Sequence, residues 1–237
     1  MPGRACFALL LLAARGCVVY EYEHEFWLRV DGSGTVHVTG RPELWTAFKG
    51  LGRAEAPEET ATRAAARELF ERSGLRVRRV TFTRRQGRPY LFVSADFTDL
   101  GRLPGTPAFP DLALSLRPEG ERLRLDGAWS GPGACAGLRP PDRFGLMAVR
   151  FHLPSKVYEH RHAFAGVERG NIVGWRQEVA RACEGGRLEA GALIDRRSIL
   201  RATVGLFGAA IALGLALMAL ALYVAFRRGR RGRPAAG

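Results

Sequence analysis

The sequence predicts an α+β class: a mostly antiparallel sheet packed by one main helix, followed by a single C-terminal transmembrane helix. Three patterns predict it. Apolar residues alternate at period two in about eight short segments, one segment repeats at helical spacing, and residues 202–226 carry no charge.

The first strand is YEYEHEFWLRV (20–30). Tyr20, Tyr22, His24, Phe26, Leu28 and Val30 share one parity, while Glu21, Glu23, Glu25, Trp27 and Arg29 share the other. That is a half-buried strand with its glutamates on the wet face. His24, among aromatics, reads as a hydrogen-bonded, partly buried histidine. Asp31-Gly32-Ser33-Gly34 supplies turn chemistry without the spaced carboxylates of a calcium loop. Thr35–Thr39 then alternates again, which makes a hairpin.

Residues 57–73 read as the helix. Pro57 suits the first turn, and Glu58 and Glu59 face the positive end of the dipole. Ala61, Ala65 and Leu69 recur at i+4 with Ala66 and Phe70 beside them, Glu59–Arg63 and Glu68–Arg72 are spaced to pair, and Ser73-Gly74 stops it. Strands follow at 75–83, with a phase change at Arg78-Arg79 that predicts a bulge, and at 90–97, after a turn through Gly87. Two more, at 112–116 and 122–129, flank Pro118-Glu119-Gly120. The strand at 146–154 takes 171–175 as its hairpin partner. Residues 130–145 are a Gly- and Pro-rich loop containing Cys135. About 180 residues enclose one sizeable core.

The 237-residue chain has a formal net charge of +13, and all but Lys49 and Lys156 of its 36 basic residues are arginine. Eight of those arginines lie in or beside the terminal apolar segments. That leaves 28 basic against 23 acidic side chains over 18–200. No recognition-helix or RNP-like motif appears, so no nucleic-acid partner is predicted.

From Val204 to Phe226 a helix would run roughly 35 Å, enough for a hydrocarbon core of about 30 Å. Eleven Leu, Ile, Val or Phe residues in that run favour insertion by roughly 4–5 kcal/mol. Arginines at 227, 228, 230, 231 and 233 follow at once, which predicts a cytoplasmic C-terminus. At the other end, Arg4 and the ten apolar residues 5–14 have the form of a signal peptide. The predicted organisation is therefore a signal segment at 1–17, an exported domain at 18–198, a membrane helix at 199–226 and a basic cytoplasmic tail at 227–237.

Ala14-Arg15-Gly16-Cys17 has the outline of a lipoprotein box. Acylation of Cys17, cleavage nearby and an uncleaved anchor all stay open. With Cys6 lost to the signal segment and Cys17 acylated, Cys135 and Cys183 remain as an even pair for a disulfide in an oxidising compartment.

No catalytic constellation stands out. WSGPGACAG (129–137) lacks the nucleophile elbow, and no glycine-rich phosphate loop opens a helix. His160 and His162, with only Glu159 near them, read as a polar loop and not as a metal ligand set. The expectation is no enzyme, no cofactor and no metal. Aromatic residues are frequent in the strands. Tyr22, Phe26, Phe70, Phe92, Trp129 and Trp175 are candidates to line a ligand cavity, the alternative being a filled core.

The late segment VRFHLPSKVYEHRHAFAGVERGNIVGW (149–175) resembles the LppM-type bacterial envelope lipoprotein domain family, through Pro154, Lys156, Val157, Gly170, Val173 and Trp175. Ser155 stands where that family has glycine, and His160 and His162 where it has asparagine. The resemblance also takes in the Cys17 region, the DGSG turn and the C-terminal membrane helix with its basic tail. It implies a curved antiparallel sheet that, with a helix, encloses an apolar cavity for acylated envelope lipids. The expected function is that of a single-pass cell-membrane protein whose exported domain binds an apolar or amphiphilic, lipid-like ligand. The alternative is a non-catalytic scaffold or interaction subunit with an envelope protein partner.

Overall fold

The period-two segment forms β1 (Tyr22–Leu28), and β2 (Gly34–Gly40) returns antiparallel to it, with Tyr22 opposite Gly40 and Leu28 opposite Gly34. In the connecting turn the Asp31 carboxylate accepts the Ser33 N–H and hydroxyl at 2.9 and 2.7 Å. A computed structural model describes residues 19–51, 59–133, 135, 137–164, 166–197 and 199–231. The predicted signal segment 1–17 with Cys17, the helix-start residues Pro57 and Glu58, and 232–237 of the basic tail lie outside the described residues.

The remaining strands are β3 (Arg76–Arg85), β4 (Arg88–Phe97), β5 (Leu112–Glu119), β6 (Arg122–Ser130), β7 (Leu146–His152), β8 (Val157–Arg161), β9 (Val167–Glu168), β10 (Ile172–Glu178) and β11 (Arg187–Asp195). The helices are α1 (Pro42–Lys49), α2 (Glu59–Arg72), α3 (Val179–Cys183) and α4 (Ile199–Arg231). β3 and β4 join through Gln86 and Gly87, both at positive φ (49° and 76°), as a two-residue turn between right-twisted strands requires. Their register shifts between Val77 and Arg79, at the predicted phase change.

The fold is α+β, but it has two sheets where the sequence reading placed one. The larger sheet runs β3-β4-β2-β1-β7-β10-β9 and the smaller β5-β6-β11-β8. β10 is the antiparallel partner of β7, as expected. The chain between them leaves the large sheet, adds β8 to the edge of the small one, and comes back. β1 and β7 pair parallel, Tyr22 beside Met147 and Phe26 beside Phe151, which is the one parallel pairing among the described strands. Five elements went unread in the sequence: α1, α3, β8, β9 and β11. α1 starts on Pro42 and buries Leu44, Trp45 and Phe48; β11 is a small-residue strand interrupted by Gly191.

One continuous core lies between the inner face of the large sheet, the helices α1 and α2, and the small sheet. α2 enters it through Ala66, Leu69 and Phe70, while Ala61 and Ala65 face solvent. The buried stripe is thus i, i+3, i+4, and not the expected alanine row, because the larger side chains gain more from burial. Leu75 N–H closes α2 on Phe70 O at 3.1 Å with Gly74 at φ 78°.

Cys135, after β6, is bonded to Cys183 at the end of α3, with Cα atoms 5.0 Å apart across 48 residues of sequence. Beside this bridge the loop passes so close to α3 that a Cβ on Gly131 would fall 1.7 Å from the Ala182 carbonyl oxygen, so only glycine fits there.

α4 differs from every other element. Its segment Thr203–Val224 is long and apolar enough to cross a membrane, and the described residues do not bury its apolar side chains: Leu206 is 73% and Phe207 64% exposed. The helical backbone continues through Arg231, five residues past the predicted end of the span.

Because the bridge closes a long loop, replacing both Cys135 and Cys183 by serine is expected to cost the domain about 2–4 kcal/mol. Denaturant unfolding followed by the fluorescence of buried Trp45, Trp129 and Trp175 reads this out. A midpoint unmoved by the double replacement would show that the bridge does not hold the domain.

Candidate functional site

The glutamates of β1 lie inside the large sheet, so their face is half-buried and not wet as expected. Glu21 pairs with Arg41 at 2.9 Å and accepts the Tyr90 hydroxyl at 2.8 Å. Arg41 is itself nearly buried and also reaches Asp142 at 3.4 Å. Arg150 on β7 stands 3.7 Å from both Glu23 and Glu25. Glu25 Oε1 is 2.6 Å from His152 Nε2, and the His152 ring stacks on Trp27 with centroids 4.5 Å apart. Burial pushes the Glu23 carboxyl up in pKa, with Arg150 opposing. The acidic run is therefore a row of cross-strand ion pairs. Among the described residues no three His, Cys, Asp or Glu side chains are placed to hold a metal. His160 lies on the edge strand β8 of the small sheet and His162 in a turn at φ 56°, both exposed, whereas His152 is on the large sheet.

Of the six aromatic candidates, Tyr22, Phe26, Phe70, Trp129 and Trp175 meet in the core, and Phe92 faces the other side of its sheet, against His37 at 5.1 Å. The space between α2 and the sheet is occupied. Phe70 packs on Trp45 and Phe109 at 6.0 and 5.7 Å, and Tyr22 on Trp45 and Phe48 at 6.0 and 4.9 Å.

Two titratable groups sit inside this packing. His24 is 1% exposed, against the partly buried, hydrogen-bonded state expected of it, and neither ring nitrogen has a hydrogen-bond partner among the described residues. Burial, with help from the charge of Lys49, holds its pKa well below the ordinary 6.5. The Lys49 ammonium donates to the Ala108 carbonyl and lies 4.5 Å from the Phe109 ring centroid. Burial lowers its pKa to about 7, against the opposing pull of Asp111.

Open space lies at the end of the domain from which α4 departs. There the β1–β2 turn, the 3-10 turn Leu100–Arg102, the β5–β6 hairpin and the end of β11 converge. Leu100 N–H donates to Gly32 O at 2.9 Å, and Arg196 to Gly120 O at 3.4 Å. A groove of about 500 Å³ opens between them, its apolar wall made by Val30, Leu100, Leu116, Pro118 and Leu123, with Arg196 at its rim. Arg196 also lines a second cavity of about 390 Å³ with Glu121, Arg122, Tyr158, Asp195 and Arg197. The Asp195 carboxylate accepts the Arg197 N–H at 2.8 Å and the Tyr158 hydroxyl at 3.2 Å, and these bonds, the backbone one first, hold its pKa below the ordinary value. Val30 is 38% and Tyr158 43% exposed, so apolar surface extends onto the rim. None of these groove residues was singled out in the sequence. They come from four separate segments, and the visible clue was the cluster of arginines just before the apolar run.

The geometry defines a class: a two-sheet α+β domain with a filled core, an amphipathic pair of surface cavities, and a C-terminal helix of membrane-spanning length. No protein-family model matches the chain, and no curated protein sequence matches it. Among solved structures it is similar to the folded domain of the Mycobacterium tuberculosis LppM protein, determined by NMR. The match has 16% sequence identity and a TM-score of 0.40, over 75% of this chain and 90% of that one.

The buried pair makes stability fall as pH falls, and His24 alone carries the loss in acid. The unfolded chain protonates His24 below about pH 6.5 and Lys49 below about 10.5, while the fold holds both neutral further down. Their contribution to stability therefore rises with pH from about 7 to 10.5 for Lys49, and falls away below 6.5 for His24. His24→Leu is expected to leave stability at neutral pH within about 1 kcal/mol or raise it, and to flatten the decline in acid. A titration of the unfolding midpoint with an acid limb as steep in the variant as in the parent chain would contradict this.

Proposed function

We propose that the chain is a single-pass membrane protein of the bacterial cell envelope. On this reading residues 18–198 are displayed outside the cytoplasm, α4 crosses the bilayer, and the domain is a binding module and not an enzyme. Its ligand is amphiphilic. The observation that carries this reading is the groove beside Arg196, apolar along Val30, Leu116 and Leu123 and cationic at one end. An amphiphile needs both surfaces side by side. The packing of Phe70 on Trp45 and Phe109 between α2 and the sheet is our reason to assign the ligand to this open groove and not to the enclosed cavity that the resemblance implied. The disulfide fits an oxidising compartment. The exposed apolar length of α4 would be a severe liability in water and is removed by a bilayer.

A second reading, an interaction subunit of an envelope complex, is favoured by the uncovered face of the large sheet. There Trp27, His37, Phe92 and His152 form a half-exposed aromatic row flanked by Glu25 and Arg150. Crosslinking in intact membranes that recovers one stoichiometric protein through this face would establish it.

The test of ligand binding uses the full chain, extracted with its surrounding lipid in polymer particles and analysed by lipid mass spectrometry. One amphiphile is expected to be enriched over the bulk membrane. In the double variant Val30→Glu, Leu116→Glu that enrichment is expected to fall at least about tenfold, because a charge now lines the apolar wall. Identical lipid profiles for parent and variant would remove the groove as a ligand site.

A further inference from the structure

The cavity at the foot of the domain has more positive charge than it uses. Arg122, Arg196 and Arg197 line it, and Lys156 lies beside it with its Nζ 5.4 Å from the Tyr158 ring. The Arg122 guanidinium sits over the same ring at 4.1 Å. Several of the domain's other cations are paired closely. Arg41, Arg78, Arg117, Arg150 and Arg161 each stand within 4.0 Å of a carboxylate. Among the described residues none of Arg122, Lys156, Arg196 and Arg197 has an ion pair of that kind. Of the two acids present, Asp195 is already engaged by the Arg197 N–H and the Tyr158 hydroxyl, and Glu121 lies on the wall. The Arg197 and Arg122 charges act on Asp195 from beyond ion-pair distance, so an anion placed here meets planar guanidinium donors that no carboxylate holds within 4.0 Å.

The position in the chain identifies where that anion comes from. Arg197 is two residues before α4, and the apolar span begins at Thr203. From Ile199 to Thr203 a helix climbs about 6 Å. The polar headgroup layer on each side of a bilayer is of comparable depth, about 5–8 Å. Once α4 is inserted, the segment 195–197 is therefore within or against the layer that holds lipid phosphates. Tyr158, an aromatic with a polar tip, is the residue type that favours that layer.

We propose that this cavity takes the phosphodiester headgroup of an anionic phospholipid from the leaflet that α4 enters. Arg122, Arg196 and Arg197 hold the phosphate, and Lys156 and Tyr158 form its outer rim. The bound headgroup seats the β5–β6 hairpin and the end of β11 on the membrane, so the apolar groove beside Arg196 opens at the height where acyl chains begin. The proposal rests on the membrane-anchored, amphiphile-binding reading above and names the ligand chemistry at its cationic end.

The test follows hydrogen–deuterium exchange in the full chain reconstituted into nanodiscs, either of phosphatidylcholine alone or with a third of it replaced by phosphatidylglycerol. Backbone amides of 119–124 and 194–197 are expected to exchange roughly tenfold more slowly in the anionic discs, with the sheet interior unchanged. The triple variant Arg122→Gln, Arg196→Gln, Arg197→Gln, whose side chains are outside the core, is expected to lose that difference. Inorganic phosphate added to neutral discs is expected to give no protection. Equal exchange in the two disc types would overturn the proposal, as would protection that survives in the triple variant. Protection by inorganic phosphate alone would assign the cavity to a free anion instead and overturn the lipid source. Failure of the chain to enter discs of any composition would overturn the anchoring reading itself and this proposal with it. Insertion without charge-dependent protection overturns this proposal alone.

Discussion

The parallel pairing of β1 with β7 is the constraint on which the rest depends. β1 lies inside the large sheet, bonded to β2 on one side and to β7, more than a hundred residues later, on the other. Without that contact the first half of the chain would be a four-stranded sheet with an open edge at Tyr22–Leu28, and the second half would have nothing to join. With it, Phe26 stacks on Phe151 at 4.9 Å, and Phe151 meets Trp175 at 6.1 Å. The aromatic inner face becomes continuous across both halves. Such a pairing forms late and at high loop-closure cost, because parallel strands need a long connection.

The same pairing decides what the two faces of β1 can be. Inward, the alternate residues Tyr22, His24, Phe26 and Leu28 are covered by α1, α2 and the small sheet, and the cover is tight enough to strip His24 of every hydrogen-bond partner among the described residues. Outward, β7 brings Arg150 and His152 against Glu23 and Glu25, and the start of α1 brings Arg41 against Glu21. A row of carboxylates that would repel in an isolated strand becomes neutralised by its neighbours. Arg41, Arg88 and Arg150 are spent in this way, whereas Arg122, Arg196 and Arg197 gather around one cavity at the start of α4 with no carboxylate within 4.0 Å among the described residues. The disulfide acts at a different place, fastening the loop after β6 to α3 so that the small sheet cannot separate from β10.

What was legible in the sequence is what depends on neighbours in the chain. The alternation at 20–30, the turn within 84–88 through Gly87, the phase change at Arg78-Arg79 and the uncharged run before the terminal arginines are all local patterns. The structure has β1, the β3–β4 hairpin, the bulge and the long part of α4 at those places. Features set by distant neighbours were not legible. β11, with Ala190, Gly191 and Ala192 at its middle, has weak strand propensity and forms because β6 and β8 pair with it on both sides. α1 is only eight residues long, too short for its periodicity to declare itself, although Pro42 at its first turn and the pair Leu44 and Phe48 were available signals. The wet face assigned to the glutamates failed for the same reason, since their arginine partners arrive from β7 and from beyond β2. The groove beside Arg196 is drawn from four segments and has no linear signature.

If the domain stands at the bilayer as proposed, one physical arrangement accounts for its anatomy: a filled, disulfide-fastened body on the oxidising side, a greasy helix through the membrane, and arginines at both ends of that helix. Topology tests this most directly. Protease added to intact cells should cut within the domain, first near Phe144, which is 74% exposed, while an epitope on the C-terminal tail stays whole until the membrane is permeabilised. Loss of the tail epitope in intact cells with the domain spared would contradict the arrangement, and so would recovery of the full chain in the soluble fraction.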